Sequence, residues 1–361
     1  PGIKMLERFK VPDADRVYVS EDKIRAATNA IFLKMGMTDE DARVSTDVLI
    51  MNDLRGVETH GVSNMLRSYV AGYASGALNP TPNIKTLRES STTATWDADR
   101  GLGAQVGPKA MQLAMDKAEK HGQGAVSVTN SGHLAGAGYH AAMAAQNDMI
   151  GVAMTGSGGV QAVPTFGAEP RFGTNPIAYA APARKMPPFL FDVATTQVAG
   201  NKVRLARRVG AGLIPNWVAG PDGTIIDQET DGIPDEYFML PFGGTRENGS
   251  HKGYAFAAVV DVMPGQLSGA GPGFIQQKTA HYFQAWKIDA FMDTEKFKDD
   301  MDEFLEGLAN TKPAPGHDRV FYPGLSEFEE TNKRRAEGIP YHKEVIEWYG
   351  TAASELGLDI D

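Results

Sequence analysis

The chain reads as an α/β protein built on a mixed or largely parallel sheet, and three observations carry that reading. Short β-forming runs alternate with amphipathic helical stretches between residues 91 and 193. Helical patterning fills residues 21–78 and returns in residues 284–311. Forty glycines spread over 361 residues, with no repeat, mark many tight turns and close backbone approaches. With 42% hydrophobic residues the chain can bury a large core.

Taken in order, Ser20 and Thr38 are N-caps, each followed by acidic residues in a first helical turn, and Gly36 and Gly76 end the first and third helices of the opening segment. Residues 91–97 (Ser-Thr-Thr-Ala-Thr-Trp-Asp) form a strand. Residues 107–120 form an amphipathic helix with Pro108 at its start. Strands follow at 124–129, 150–155, 176–181 and 189–193, with a helix over 139–147 between the first two. The helical patterning of 284–311 is strongest over 296–308. A Pro/Gly turn or linker at 311–317 precedes an exposed, charged carboxy-terminal helical segment.

Composition excludes several classes of function. A net charge of −10 lacks the clustered cations that nucleic acid requires. Without cysteine there is no disulfide framework, thiolate nucleophile or zinc–thiolate site, which fits a reducing compartment, so a cytoplasmic location is expected. Residues 1–8 lack the apolar core of a secretory leader. No apolar run approaches the roughly 18 residues that span a bilayer; the best, 254–260, stops at Asp261.

Two glycine-flanked histidines are the candidate chemistry. His60 lies in Asp-Leu-Arg-Gly-Val-Glu-Thr-His-Gly-Val (53–62) and His133 in Asn-Ser-Gly-His-Leu-Ala-Gly-Ala-Gly-Tyr (130–139). Imidazole titrates near neutral pH, so a histidine in a cleft can give a small molecule a proton and take it back. The turn with Gly101, Gly103 and Gly107 has the setting of a dinucleotide loop, but the next strand ends without the acid that holds a ribose, and it reads as a packing turn. Thr-Gly-Ser-Gly-Gly (155–159) and Phe-Gly-Thr-Asn-Pro (172–176) are better placed for a ligand at strand ends. Asp192 is a lone carboxylate after an apolar strand, for which a histidine is a natural partner. Lys252 lies in a polar cluster before an apolar helix, where it can meet an anion. Arg204, Arg207 and Arg208 read as a solvated face, with the 2′-phosphate of NADP as the alternative. His121, His140, His281, His317 and His342 are expected at the surface or in packing.

The stretches at 53–62 and 130–133, Phe-Gly-Thr-Asn-Pro-Ile-Ala (172–178), Asp-Val-Ala-Thr-Thr (192–196), and His-Lys-Gly-Tyr (251–254) followed by Gly-Gln-Leu-Ser-Gly-Ala (265–270) together resemble the type 2 malate/L-lactate dehydrogenase family. That family includes ureidoglycolate and sulfolactate dehydrogenases, diketogulonate reductase and cyclic imino-acid reductases. The resemblance runs in order over about residues 21–345. It implies an oxidoreductase using NAD or NADP on a non-Rossmann mixed-sheet domain (124–283). A helical second domain would form from residues 1–123 together with the returning segment 284–361. A homodimer or higher assembly, a small carboxylic acid substrate and no metal are also implied. It places His60 and His133 as acid/base candidates, Asp192 as the group orienting His60, and Thr59, Asn64 and Arg67 at the substrate. Ser157, Thr174, Asn175, Asp192, Val193, Lys252, Pro323 and Gly324 are placed at the cofactor.

Two departures bear on the substrate. The family's Asp-Ser-His-Gly is Glu-Thr-His-Gly here, and the position four after the histidine, usually an arginine gripping the substrate carboxylate, is Asn64. Arg67, one helical turn on, is the candidate replacement. Reduction of a cyclic imine, or ligand binding without turnover, are the alternatives to reduction of a 2-oxo acid.

Overall fold

A computed structural model describes residues 11–156 and 158–359. In chain order the elements begin with β1 (Arg16–Val19), α1 (Glu21–Lys34), α2 (Asp39–Leu54), α3 (Val62–Ala74), β2 (Lys85–Glu89), β3 (Thr93–Asp97), α4 (Gly103–His121) and β4 (Gln123–Thr129). The middle of the chain supplies α5 (Ala137–Ala145), β5 (Met149–Gly156), β6 (Ile177–Ala181), β7 (Phe189–Val193), α6 (Gly200–Arg208), β8 (Val218–Ala219), β9 (Phe238–Met239) and α7 (Ser250–Val260). It ends with α8 (Gly273–Gln276), β10 (Ala280–Lys287), α9 (Thr294–Ala309), α10 (Leu325–Glu337), β11 (Ile339–His342) and α11 (Lys343–Leu356).

The caps act where the sequence puts them. Ser20 Oγ accepts the Lys23 N–H and Thr38 Oγ1 accepts the Asp41 N–H, which starts α1 and α2. Helices α1 to α3 bury Ile31, Phe32, Leu49, Leu54 and Leu66 in one core with Tyr341 and Tyr349 from the end of the chain. The carboxy-terminal segment is therefore not a solvated tail. Strand β11 pairs antiparallel with β1, and the Tyr349 hydroxyl meets Thr28 Oγ1 at 2.7 Å.

A seven-stranded sheet in the order β2-β3-β4-β10-β5-β6-β7 carries the second core, with α4 and α5 packed on it. The sheet is mixed. Only β3 and β4 run parallel; every other pair is antiparallel, so a largely parallel sheet is not what forms. Three sequence expectations need correction. The helix over 284–311 begins only at Thr294, capped by Asp293, because 280–287 is β10, the central strand between β4 and β5. Ala280, His281, Tyr282, Phe283 and Ala285 are all buried there, so both faces are covered and no alternation shows. Helix α4 starts at Gly103 and holds Pro108 inside it, where the proline was expected at the first turn. Finally, β2, β3 and α4 precede residue 123 yet belong to the sheet, and β10 crosses residue 284. Boundaries at 123 and 284 would both cut the seven-stranded layer.

Candidate active site

The segment between α2 and α3 is held from beneath by Asp53. Its Oδ2 accepts the Val62 N–H and the Tyr341 hydroxyl, both at 3.0 Å, and fixes the start of α3. A Cβ on Gly61 would lie 1.8 Å from Asp53 Oδ1, so only glycine lets the chain cross this carboxyl. Burial pushes the Asp53 carboxyl up to about 7, against the two donors that favour its charge. From α10, Arg334 donates to the Asp53 carbonyl at 2.7 Å and to Glu58 Oε1 at 2.6 Å. The helical turn Glu58–His60 is thus braced on both sides before His60 is presented.

His60 is half-buried, and its Nδ1 lies 2.9 Å from Thr59 Oγ1. Its ring stacks on that of His133, centroids 5.8 Å apart and planes within 11°. Burial lowers the affinity of His60 for a proton, and the Asp192 charge opposes this. His133, on the loop after β4, has a ring surface open to solvent, but its Nδ1 is committed. It accepts the Ala135 N–H at 3.1 Å and meets the Tyr69 hydroxyl at 2.7 Å. A backbone N–H can only donate, so this contact favours the neutral tautomer with its hydrogen on Nε2. Desolvation, then His60, His281 and Arg204, hold His133 well below the usual histidine range.

Asp192, on β7, accepts the Gly138 N–H at the start of α5 at 2.7 Å. Among the described residues no hydrogen bond joins it to His60, so its influence on the imidazole is by charge. A cleft of about 1050 Å³ opens beside these groups, lined by Glu58, Thr59, Ser63 and Asn64 around His60, by Val193 at the end of β7 and Thr196 after it, and by residues of α6 and α10. Helix α6 is docked on the His60 turn by Asn201, whose amide donates to the Thr59 carbonyl.

The structure thus brings together His60, His133, Thr59, Asn64, Asp192 and Val193. Asn64 has its amide N–H on the Glu58 carbonyl at 2.7 Å. Arg67 is exposed and is not among the residues that line the cleft. Thr174 and Asn175 do not line it either. The Thr174 carbonyl accepts the Thr195 N–H at 2.8 Å, and buried Asn175 ties β6 to α7 through the Ala257 carbonyl. Lys252 is exposed near the start of α7, also outside the cleft lining. Pro323 and Gly324 hold β7 to α10. The Pro323 carbonyl accepts the Leu190 N–H, and a Cβ on Gly324 (φ +99°) would approach the Pro188 carbonyl to 3.1 Å. Ser157 lies outside the described residues.

The Gly101–Gly107 turn is filled by protein. Side chains at Gly103 and Gly107 would strike the His133 carbonyl and the His140 ring, both at 2.7 Å, which leaves no room for a pyrophosphate. Sequence reasoning missed Arg55, Lys202, Arg334 and Tyr341. Arg55 stands inside the 53–62 motif, but the other three carry no local signal. Among the described residues no group of acids and histidines could hold a metal ion, and no helix is long and apolar enough to cross a membrane.

A sequence model of a family described as malate/L-lactate dehydrogenase matches residues 19–348. The malate dehydrogenase of Pyrococcus abyssi is 38% identical over 96% of this chain and 97% of its own length. The L-sulfolactate dehydrogenase of Methanocaldococcus jannaschii is 34% identical over 92% of this chain and 95% of its own. The solved malate dehydrogenase of Entamoeba histolytica superposes with a TM-score of 0.90 at 32% identity, covering 95% of this chain and 99% of that one.

Proposed function

The chain belongs to the malate/L-lactate dehydrogenase family and is an oxidoreductase of the hydroxy-acid dehydrogenase type; on that premise we propose that it interconverts a small 2-hydroxy acid and its 2-oxo acid with NAD or NADP, using His60 as the proton donor and acceptor. The observation that carries the assignment is the contrast in the two Nδ1 atoms. His133 meets a fixed backbone donor at Nδ1 beside the Tyr69 hydroxyl, and that donor disfavours a second ring proton there. His60 faces a hydroxyl that can rotate to accept, and Asp192 favours its charged form. His60 therefore gives its proton to the substrate oxygen in reduction and recovers it in oxidation. His133 contributes its Nε2–H as a fixed donor beside the same oxygen, and Asp192 biases His60 by charge.

The cleft fits a nicotinamide coenzyme together with a small acid. Its volume is ample for both, and its lining pairs apolar and aromatic surface at Phe191, Val193, Trp217 and Phe242 with the hydroxyl and amide of Thr196 and Gln197. A bound nicotinamide supplies or accepts the hydride at the substrate carbon. Val193, Thr196 and Gln197 would hold it, on a strand anchored by the Pro323–Gly324 turn. The chain works as a homodimer or higher assembly, and the exposed Tyr254, Phe256, Val259 and Val262 on α7 and the turn after it are where a second copy would bury apolar surface.

The test is loss of NADH and NADPH absorbance on a panel of 2-oxo acids, ureidoglycolate-related acids and cyclic imino acids. Turnover of 2-oxo acids is expected. Turnover of imines alone would replace the ketone reading, and the absence of both turnover and coenzyme binding would favour a non-catalytic relative.

A further inference from the structure

Asn64 brings no charge to a substrate carboxylate, and one of its two amide N–H groups is already spent on the Glu58 carbonyl. Among the other cations of the cleft most are committed: Arg334 to Glu58 and Glu330, Arg16 to Asp13, Arg208 to Glu344. Lys333 is exposed at the rim. Two half-buried cations remain, Arg55 at the end of α2 and Lys202 on α6. Both line the cleft, and among the described residues neither side chain donates a hydrogen bond or joins an ion pair within 4 Å.

Their placement is built in. A Cβ on Gly138 would lie 2.7 Å from Asp192 Oδ2 and 3.1 Å from Arg55 Nη1, so Arg55 and the carboxylate whose charge acts on His60 converge on one glycine. Lys202 follows Asn201, the residue that docks α6 on the carbonyl of Thr59, the neighbour of His60. Burial lowers the proton affinity of Lys202 while the Glu58 charge supports it. A desolvated ammonium in this state gains most from an anion that enters the cleft.

We propose that Arg55 and Lys202 form a two-point anion clamp that selects substrates with two acid groups, the Arg55 fork taking the carboxylate beside the reacting carbon and Lys202 the distal acid. The clamp rests on the oxidoreductase reading above. It accounts for how a chain with Asn64 in place of the usual arginine still orients an acid against His60, since a guanidinium fork matches a carboxylate in two hydrogen bonds and an ammonium serves as a point charge.

The experiment measures kcat and KM on oxaloacetate, a dianion, and pyruvate, a monoanion, with the wild type, Lys202→Met, Lys202→Arg and Arg55→Gln, alongside coenzyme titration by fluorescence. Loss of one charged hydrogen bond predicts that Lys202→Met lowers kcat/KM on oxaloacetate about 10- to 100-fold, through KM, with pyruvate shifted about threefold or less. Arg55→Gln lowers both by about 10- to 100-fold, and Lys202→Arg restores most of the preference for the dianion. Equal losses on both substrates in Lys202→Met, or a weakened coenzyme affinity in its place, would overturn the clamp. A wild type that turns over both acids equally well would overturn it while leaving the oxidoreductase reading intact. A wild type that turns over no 2-oxo acid would overturn that reading, and the clamp with it.

Discussion

His60 and His133 stack beside the residues that line the cleft, Thr59 and Asn64 among them, while His140 and His281 lie in the packed interior between α5 and the sheet, both 0% exposed. All four are held below the usual histidine range, His140 at about 4 and His281 at about 3, so a perturbed proton affinity does not separate the candidate pair from the structural one. The ring nitrogens do. His281 spends both, on Thr155 Oγ1 at 2.8 Å and the Gly132 carbonyl at 3.1 Å, and His140 turns Nε2 to the Leu134 carbonyl at 3.2 Å and keeps Nδ1 buried where no substrate can reach it. His133 spends one nitrogen on the backbone. His60 spends one on a hydroxyl that can serve either way. A histidine is available for proton transfer according to what its second nitrogen is left to do.

The largest expected effect is at His60. His60→Asn should lower kcat by about 10²- to 10⁴-fold with coenzyme affinity, read by fluorescence titration, within about twofold. A variant keeping most of its rate would break the comparison and move the acid to His133. Asp53 and Asp192 make a parallel pair among the carboxylates, one interior and one beside the cleft. The folded state raises the Asp53 carboxyl above its unfolded value, so its stabilising contribution is complete below about pH 4 and is lost as pH rises through about 7. Asp53→Asn should flatten thermal stability across that window, an effect of up to about 4 kcal/mol. An unchanged slope would show that Asp53 is charged in the folded chain. His133→Gln, which keeps a donor but not its placement, should cost about 10- to 100-fold in kcat. The pH profile should keep its shape, since His133 does not titrate in the cycle; a displaced limb would refute the tautomer argument. The smallest effect is at Asp192. Reduction needs protonated His60, so the rate falls as pH rises through its pKa. Losing the Asp192 charge in Asp192→Asn should move that fall to lower pH, by about one unit or less. A fall at higher pH would mean Asp192 does not act on His60 by charge.

Much of the fold was legible because its signals are local. Ser20 and Thr38 cap helices through bonds spanning three residues, and the strands at 149–156 and 189–193 lie within two residues of where their apolar runs place them. Strand β10 was not legible. Its buried run lacks alternation, and its partners, β4 and β5, lie more than a hundred residues upstream. Within the site, His60 was visible because its motif is contiguous. The Arg334–Glu58 pair spans 276 residues, and Lys202 reaches the cleft only because α6 docks on the Thr59 carbonyl.

The sequence by itself determined most of the element types, the family and two glycine-flanked histidines as candidates for chemistry, since each depends on residues within a few positions of one another. The tertiary structure decided what the ring nitrogens of each histidine meet, that the Gly101–Gly107 stretch is filled by protein, and which cations of the cleft have no partner among the described residues. Those are questions of which donor or acceptor stands within 3 Å of a given atom, and the neighbours that answer them come from distant parts of the chain.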